Sequence, residues 1–550
     1  MDVKTSGDIK TPGDATIPAQ PAVTPATRQR AIDRLRSGTS GVLDVLDILI
    51  IGGGINGAGT ARDLALRSKI AETPLNIALV EQNHFGSGTS GKNSHLVHGG
   101  FRYLKQLDFH LVRESLRERA VLLRIAPHLV EPLPFLLPIA GFARELFYNA
   151  GLTLYDALSS GHEFPRHRRL PLAEVHRMEP GLAVPGMTGA AEYYDAEVRS
   201  ARVVLENVFE AIANGAACAN YVAVESHERE GAGAIWRVCL HDRISGERFE
   251  TRAKCLVDST GPWAHDPAPR LVRGSHIVVP RLNASDHAIA YFEESGRIVF
   301  FIPWGERRDR TLIGTTDVDH SGSPDEVHIS QEEVRYLRDI AARVFPASAK
   351  ADPVAAFSSL RPLLASTGSA TRATREHHIF KDAKGILRIT GGKFTTYRFM
   401  SEEAADLIAA EIAPGLSKVH ATAATPLNGN SPEAIAELIA QAPAMAVRYS
   451  IDAFEIVFLV RQYGVLATAV LELMAEPEPA ASATSNSAGL SRIDQARLKF
   501  AVHHEMAQYP DDFLKVSTTL GHEGRAGTLT SLALSSKNGT DRFATGPPAH

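Results

Sequence analysis

Residues 47–81 read DILIIGGGINGAGTARDLALRSKIAETPLNIALVE. The apolar run Ile48–Ile51 fits a strand buried on both faces, and Leu75–Val80 fits a parallel partner. Between them Gly52-x-Gly54-x-x-Gly57 has the spacing of a dinucleotide turn. The first glycine permits the tight turn, the second lets a pyrophosphate approach the backbone, and the third lets the helix pack close to the sheet. The helix N-terminus offers amide donors and the positive end of a dipole to the phosphates. Glu81 closes the second strand 24 residues beyond Gly57, where a carboxylate can accept from ribose hydroxyls. The stretch therefore predicts a strand–turn–helix–strand unit that binds a dinucleotide.

Working outward, 550 residues exceed one compact core and imply two or three domains. A net charge of −5 and a pI near 6.5 argue against a nucleic-acid binder with a broad basic face. Cys218, Cys239 and Cys255 are far apart and odd in number, which suggests a reducing compartment with neither a disulfide framework nor a zinc site. No apolar run reaches the roughly 18–20 residues of a membrane span, so membrane contact is expected to be peripheral. Residues 1–43, rich in Pro, Ala, Thr and Ser, read as a disordered arm without a secretory h-region. Arg28, Arg30, Arg34 and Arg36 form a short basic stretch within it, either solvated or facing a membrane surface. Asp2, Asp8 and Asp14 disfavour a mitochondrial transit peptide. Residues 475–490 read as a disordered connection and 526–550 as a frayed tail.

NAD and FAD share the glycine turn, so other segments must decide between them. Residues 85–103, FGSGTSGKNSHLVHGGFRY, form a loop of small, hydroxyl and histidine residues. It suits a long cofactor lying extended and hydrogen-bonded by Thr89, Ser90 and Ser94. Residues 253–263, AKCLVDSTGPW, are a strand ending at Thr260-Gly261-Pro262, where small residues let backbone approach a nucleotide. Residues 386–396, ILRITGGKFTT, are a strand that breaks at Gly391-Gly392 into a helix. That helix carries Met400, Ala404, Leu407 and Ile408 on one face, with Thr395 or Thr396 as N-cap. A helix N-terminus aimed at the pyrimidine end of a flavin stabilises the negative charge of the reduced ring, a need NAD lacks. These three segments point to FAD. Two look-alikes fail. GGKFT lacks the Ser or Thr directly after Lys393 that a P-loop needs, and His162-Glu163 with His167 has the wrong spacing and an intervening Pro165 for a zinc helix.

The motifs IGGGINGAG, HGGFRYL, GSHIVVP, FFIPWGERRDRTLIGTTDV, LRPLL and GGKFTTYRFM, in this order from about Asp44 to Ile412, resemble the FAD-dependent glycerol-3-phosphate dehydrogenases of the D-amino-acid oxidase superfamily. Residues 431–525 resemble that family's C-terminal helical domain, most clearly in AVHHEMAQYPDDFL. The resemblance implies oxidation of sn-glycerol 3-phosphate to dihydroxyacetone phosphate, with electrons passing through FAD to a membrane quinone. It implies an α/β fold: a glutathione-reductase-like Rossmann FAD domain, an antiparallel substrate sheet and a C-terminal helical domain. The FAD-binding pieces fall at about 44–110, 200–275 and 356–420 of a body spanning 44–420. The sheet is expected mainly from 275–355, a mostly helical connection from 108–158, and the helical domain from 425–525.

By the same resemblance Arg102, Arg361, Arg375 and Lys393 match anion-binding side chains, and Tyr103 can donate to a substrate oxygen. Arginine forks grip phosphate oxygens in pairs, whereas lysine adds a point charge. His276, in GSHIVVP, matches the active-site histidine and, with an ordinary pKa near 6.5, suits a base; a buried histidine satisfied by its surroundings is the alternative. Arg361 could steady the developing alkoxide. His98, against Gly99-Gly100, is expected to line the flavin, as are Gly261, Gly392 and Thr395. The chain departs from the family pattern at Ser94-His95, where Ser-Lys is common, and at Lys515-Val516-Ser517-Thr518, where Arg-Arg-Thr is usual. The short interval between GSHIVVP and LRPLL favours a dehydrogenase over an oxygen-using oxidase. An amine-oxidising relative and a flavoprotein serving as a binding module are the rival readings. The expected location is cytoplasmic, peripheral on the inner face of the membrane, with a homodimer left open.

Overall fold

In a computed structural model of the protein, residues 21–37, 45–101, 108–159, 164–231, 235–265, 268–293, 295–363, 377–475 and 490–525 are described. The dinucleotide unit forms where the sequence places it: strand Leu46–Ile51, helix Ile55–Ile70 and strand Ile77–Glu81. Leu46–Ile51 is flanked by parallel neighbours, Ile77–Glu81 on one side and Arg248–Asp258 on the other. The sheet continues through Leu387–Gly391 to His377–Lys381 at one edge and to Ala217–Asn220 at the other. Its strands thus come from widely separated parts of the chain, as expected of this fold. Helix Ile55–Ile70 packs so tightly on the turn that a Cβ on Gly57 would lie 2.0 Å from the Gly52 carbonyl oxygen. Only glycine fits there.

A second sheet, of ten strands among the described residues, covers the other side of the cavity. Only part of it comes from 275–355. Val130–Ala140, Arg168–Pro171 and Met187–Val198 contribute a large share, and Ala355–Leu363 pairs along Arg270–Pro280. The expected helical connection over 108–158 is therefore two helices, Phe109–Ile125 and Phe142–Leu158, with an eleven-residue strand between them. Pro132, Pro134 and Pro138 disguise that strand in the sequence. They share one parity, so their missing donors point to one side, and that side pairs with Ala288–Phe292 only at Phe135 and Leu136.

The N-terminal arm is also corrected. Thr27–Ser37 is a helix with Ala31, Ile32 and Leu35 buried in the same core as Leu46 and Trp236. Three of its four arginines are engaged with the body, while Arg30 is exposed. Arg28 pairs with Asp242 at 2.5 Å, Arg36 pairs with Glu247, and Arg34 donates to Asn76 Oδ1 and the Gly215 carbonyl. The rest of the arm (1–20 and 38–43), the connection at 476–489 and the tail at 526–550 lie outside the described residues.

Helices Pro432–Ala440, Ala442–Tyr449, Ala453–Tyr463, Ala467–Ala475 and Arg492–His504 build the C-terminal unit. Ala453–Ala475 is long and apolar enough to cross a membrane by length and composition, contrary to the expectation that no such run exists. More than half of it is buried, and Ile456, Val460, Tyr463, Val470 and Leu471 form the core of this unit. It therefore reads as a core element. Buried ion pairs, Arg202 with Glu505 and Arg497 with Glu306 at 2.5 Å, fasten the unit to the body.

Candidate active site

The glycine turn, the loop 86–100, the ends of strands Arg248–Asp258 and Leu387–Gly391, and the second sheet enclose one cavity of about 620 Å³. At its nucleotide end, Gly52 takes φ +104°, so the turn needs glycine. Glu81 sits one strand over and accepts from the Gly53 amide at 2.7 Å and the Asn83 amide at 2.8 Å. Burial raises its pKa, and these amides and Arg243 oppose that shift. Ser90 Oγ accepts from the Ile55 amide at 2.9 Å, tying the hydroxyl-rich loop to the helix N-terminus. Thr89 donates to the Leu360 carbonyl at 2.6 Å and so ties the same loop to the second sheet.

His276, Arg361 and Lys393 also line the cavity, each held by a hydrogen bond. His276 shares a 2.9 Å hydrogen bond, through Nε2, with Ser94 Oγ. Its ring stacks on Phe357, 5.1 Å between centroids. Burial, then Arg361, His95 and His522, hold its pKa well below the ordinary histidine value. This corrects the expectation of an unperturbed base: the ring is neutral at physiological pH. Arg361 donates to Asp317 Oδ1 at 2.7 Å and to Thr315 Oγ1 at 2.8 Å. Lys393 Nζ donates to Ser115 Oγ at 2.9 Å.

The loop carrying His98 is fixed from two sides. Its amide donates to Thr395 Oγ1 at 3.2 Å, and the Gly99 amide meets Tyr155 and the buried Asp195, which also pairs with Arg119 at 2.6 Å. Thr395 is therefore a bridge to this loop. Thr396 is the N-cap residue of helix Tyr397–Ile412 but makes no side-chain capping bond, so the expected hydroxyl cap is absent at both positions. Gly392 takes φ +83°, and a Cβ there would lie 2.3 Å from Met400 Sδ.

Gly52, Gly54, Glu81, Thr89, Ser90, Ser94, His98, Gly261, His276, Arg361, Gly392, Lys393 and Thr395 all line this cavity, whereas Gly57 packs behind it. Arg102, Tyr103 and Arg375 lie outside the described residues, as do His162 and Glu163 of the zinc look-alike. Sequence reasoning missed the strand Val222–Arg229, whose first half lines the cavity, and Phe101, Phe135, Tyr193, Ile298 and Phe300, which add apolar lining. It quoted Thr315 and Asp317 inside IGTTDV without assigning them. An acid directly after a threonine pair was the available signal. The glycine turn, the Glu81 carboxylate on the next strand and a cavity of about 620 Å³ lined from both sheets fit FAD.

Residues 47–407 match the FAD dependent oxidoreductase (DAO) family, and the chain belongs to it. Residues 420–533 match the C-terminal domain of alpha-glycerophosphate oxidase. The chain is 33% identical over 529 residues to the glycerol-3-phosphate dehydrogenase of Mycobacterium leprae (strain TN), spanning 92% of this chain and 86% of that one. It is 30% identical over 570 residues to the alpha-glycerophosphate oxidase of Streptococcus pneumoniae serotype 4, spanning 89% and 90%. Among solved structures it superposes on the glycerol-3-phosphate dehydrogenase from Bacillus halodurans complexed with FAD, with a TM-score of 0.73 at 27% identity over 93% of this chain and 91% of that one. FAD is the cofactor.

Proposed function

We propose that this protein oxidises sn-glycerol 3-phosphate at C2 to dihydroxyacetone phosphate and passes the electrons to a lipid-soluble quinone at the inner face of a membrane. The observation that carries the reading is that two cations, Arg361 and Lys393, line one FAD cavity together with the neutral His276, and Arg361 acts directly on that histidine. A phosphate dianion on a small polyol needs fixed positive charge, and an alcohol to be oxidised needs an acceptor for its proton. His276 accepts that proton at Nε2, the nitrogen held toward the cavity by Ser94. Arg361, braced by Asp317 and Thr315, steadies the oxygen as charge develops on it. Lys393 adds charge from the turn that opens helix Tyr397–Ile412. FAD, when bound, takes up the hydrogen of C2 with its two electrons. The relatives' names support the substrate.

Membrane location is supported by helix Phe142–Leu158. Tyr148, Leu152 and Tyr155 face inward, while Phe142, Leu146, Phe147 and Leu154 are exposed by 80%, 62%, 48% and 38%. Phe142 and Leu146 are one turn apart and Phe147 and Leu154 two turns apart, so the four share the face opposite Tyr148, Leu152 and Tyr155, an apolar surface of the kind an interfacial helix lays on lipid. With Arg28, Arg34 and Arg36 engaged internally, this face replaces the N-terminal arm as the attachment surface.

An oxygen-using oxidase is the second reading, favoured by the match of residues 420–533. The test is anaerobic addition of glycerol 3-phosphate to the yellow holoenzyme, followed by reoxidation. Bleaching, then faster reoxidation by quinone analogues than by oxygen, supports the dehydrogenase. Faster reoxidation by oxygen selects the oxidase, and no bleaching rejects both.

A further inference from the structure

Three histidines meet around one phenylalanine behind the cavity. The Phe357 ring lies 5.1 Å from His276, 4.7 Å from His522 and 6.5 Å from His95. They come from three places: the second sheet, the C-terminal unit and the hydroxyl-rich loop. All three are buried, with exposures of 2%, 5% and 6%. Each also keeps a buried ring nitrogen with no hydrogen-bond partner among the described residues: Nδ1 of His276, Nε2 of His95 and Nε2 of His522. One orphaned buried nitrogen is unremarkable, but three around a single ring are costly unless water joins them.

The arrangement has a direction. His276 presents Nε2 to the cavity through Ser94 and leaves Nδ1 at the rear. His95 is anchored by Nδ1 on Ser200 Oγ at 2.9 Å, which leaves Nε2 for the cluster. His522 stands beside Lys92 and Lys515, and Lys515 pairs with Asp511 at 2.7 Å with both side chains substantially exposed. The cluster therefore runs from cavity to surface.

We propose that His276, His95 and His522, bridged by buried water, form a path that carries the substrate's hydroxyl proton from the cavity to solvent beside Lys515 and Asp511. The proposal rests on the alcohol-oxidation reading above. The balance is simple. The C2–H bond breaks with its electron pair going to the flavin, the O–H pair closes the carbonyl, and the proton enters His276 at Nε2. The proton on Nδ1 leaves to the rear, so one proton is released per substrate oxidised and the imidazole ends neutral. The charged groups nearest the three rings are cations, Arg361 at His276 and Lys92 and Lys515 at His522, with the carboxylates Asp317 and Asp511 one step further out, on Arg361 and Lys515. Burial above all, helped at His276 and His522 by these cations, keeps the histidines unprotonated at rest, the state a relay needs. The C-terminal unit thereby contributes a positioning residue, His522, that acts through His276.

The test is the anaerobic reduction of bound flavin by glycerol 3-phosphate, followed by stopped flow in H2O, D2O and mixtures. His522→Gln and His95→Gln, each first shown to hold a full flavin complement, should slow reduction at saturating substrate by at least about tenfold, at the low end of what proton-transfer groups contribute, with KM unchanged. The solvent isotope effect should rise, and added imidazole should restore part of the rate. Unchanged rates and isotope effects in both variants would overturn the path. Should neither variant fold, the wild type decides: a curved dependence of rate on deuterium fraction supports several protons in flight, and a linear one overturns the proposal. Failure of the wild type to bleach with glycerol 3-phosphate would instead sink the underlying reading.

Discussion

Arg361 and Asp317 are joined across the second sheet, Nη1 to Oδ1 at 2.7 Å, and both line the cavity. The guanidinium thus meets a substrate already aligned, with Thr315 Oγ1 and the Thr316 carbonyl holding the rest of the fork. Arg361→Ala removes that cation and leaves the Asp317 carboxylate facing the substrate oxygen on which negative charge develops. We expect kcat/KM for glycerol 3-phosphate to fall by roughly 2–5 kcal/mol of transition-state binding. Asp317→Asn keeps the cation and should cost much less. Steady-state kinetics on the two variants checks the order, and equal losses would contradict the assignment.

Gly54 and Gly57 separate cofactor binding from folding. A Cβ on Gly54 would stand 3.2 Å from Ser90 Oγ, a contact that a small rotation relieves, and it would point into the phosphate end of the cavity. Gly54→Val should give a folded, colourless protein. A Cβ on Gly57 would strike the Gly52 carbonyl and Ser259 Oγ, so Gly57→Val should fail to fold at all. Circular dichroism with flavin absorbance distinguishes the two. A yellow Gly54→Val protein would contradict the placement of the pyrophosphate. Flavin should also come free on denaturing the wild type, because Cys218 and Cys255 are buried away from the cavity with thiol pKa values pushed up to about 12, and Cys239 does not line it.

The buried histidines make stability depend on pH. Burial lowers the pKa of His95 to about 4 and that of His522 to about 3, against 6.5 in the unfolded chain. Below 6.5 the unfolded state binds protons that the folded state refuses. The stabilisation is therefore complete above pH 6.5 and is lost as pH falls toward 4 and then 3, at up to about 1.4 kcal/mol per pH unit for each histidine. Urea midpoints should fall between pH 7 and pH 5, and His522→Gln should flatten the slope. A midpoint flat over that range in the wild type would contradict it.

The nucleotide half of this fold is legible because its signals are local: four apolar residues, three glycines at fixed spacing and an acid all lie within 47–81. The strand Val130–Ala140 is not, because its three prolines argue against a strand until its partner Met187–Val198 is known. Arg361 and Lys393 are readable as candidate cations. The grip of Asp317 on Arg361 depends on the connection 315–317 folding over the strand Ala355–Leu363, and no local pattern encodes that. The N-terminal arginines show the same limit in reverse. The solvated reading fails for Arg28 and Arg36 because Asp242 and Glu247, more than two hundred residues on, turn out to face them. The histidines around Phe357 come from three distant segments, and two of them lie in or near the stretches where the chain departs from the family pattern.

The final prediction concerns the membrane. Replacing Phe142, Leu146 and Phe147 by aspartate should abolish flotation with liposomes while leaving soluble reduction of flavin by glycerol 3-phosphate intact. These side chains are exposed, and burying each in an apolar phase is worth about 1.5–3 kcal/mol. Their helix is anchored from behind by Tyr148 and Tyr155, which pack on Phe101, so the fold should survive the change. Because that face is apolar, detergent should release the wild type where 1 M salt, with a Debye length of about 3 Å, does not. Release by salt alone would point to a basic surface instead. Removing residues 21–37 tests the rival attachment: with Arg28 bonded to Asp242 and Ile32 and Leu35 in the core, it should lower stability and leave flotation unchanged. Flotation lost with that helix but kept by the triple aspartate variant would return the membrane contact to the N-terminus.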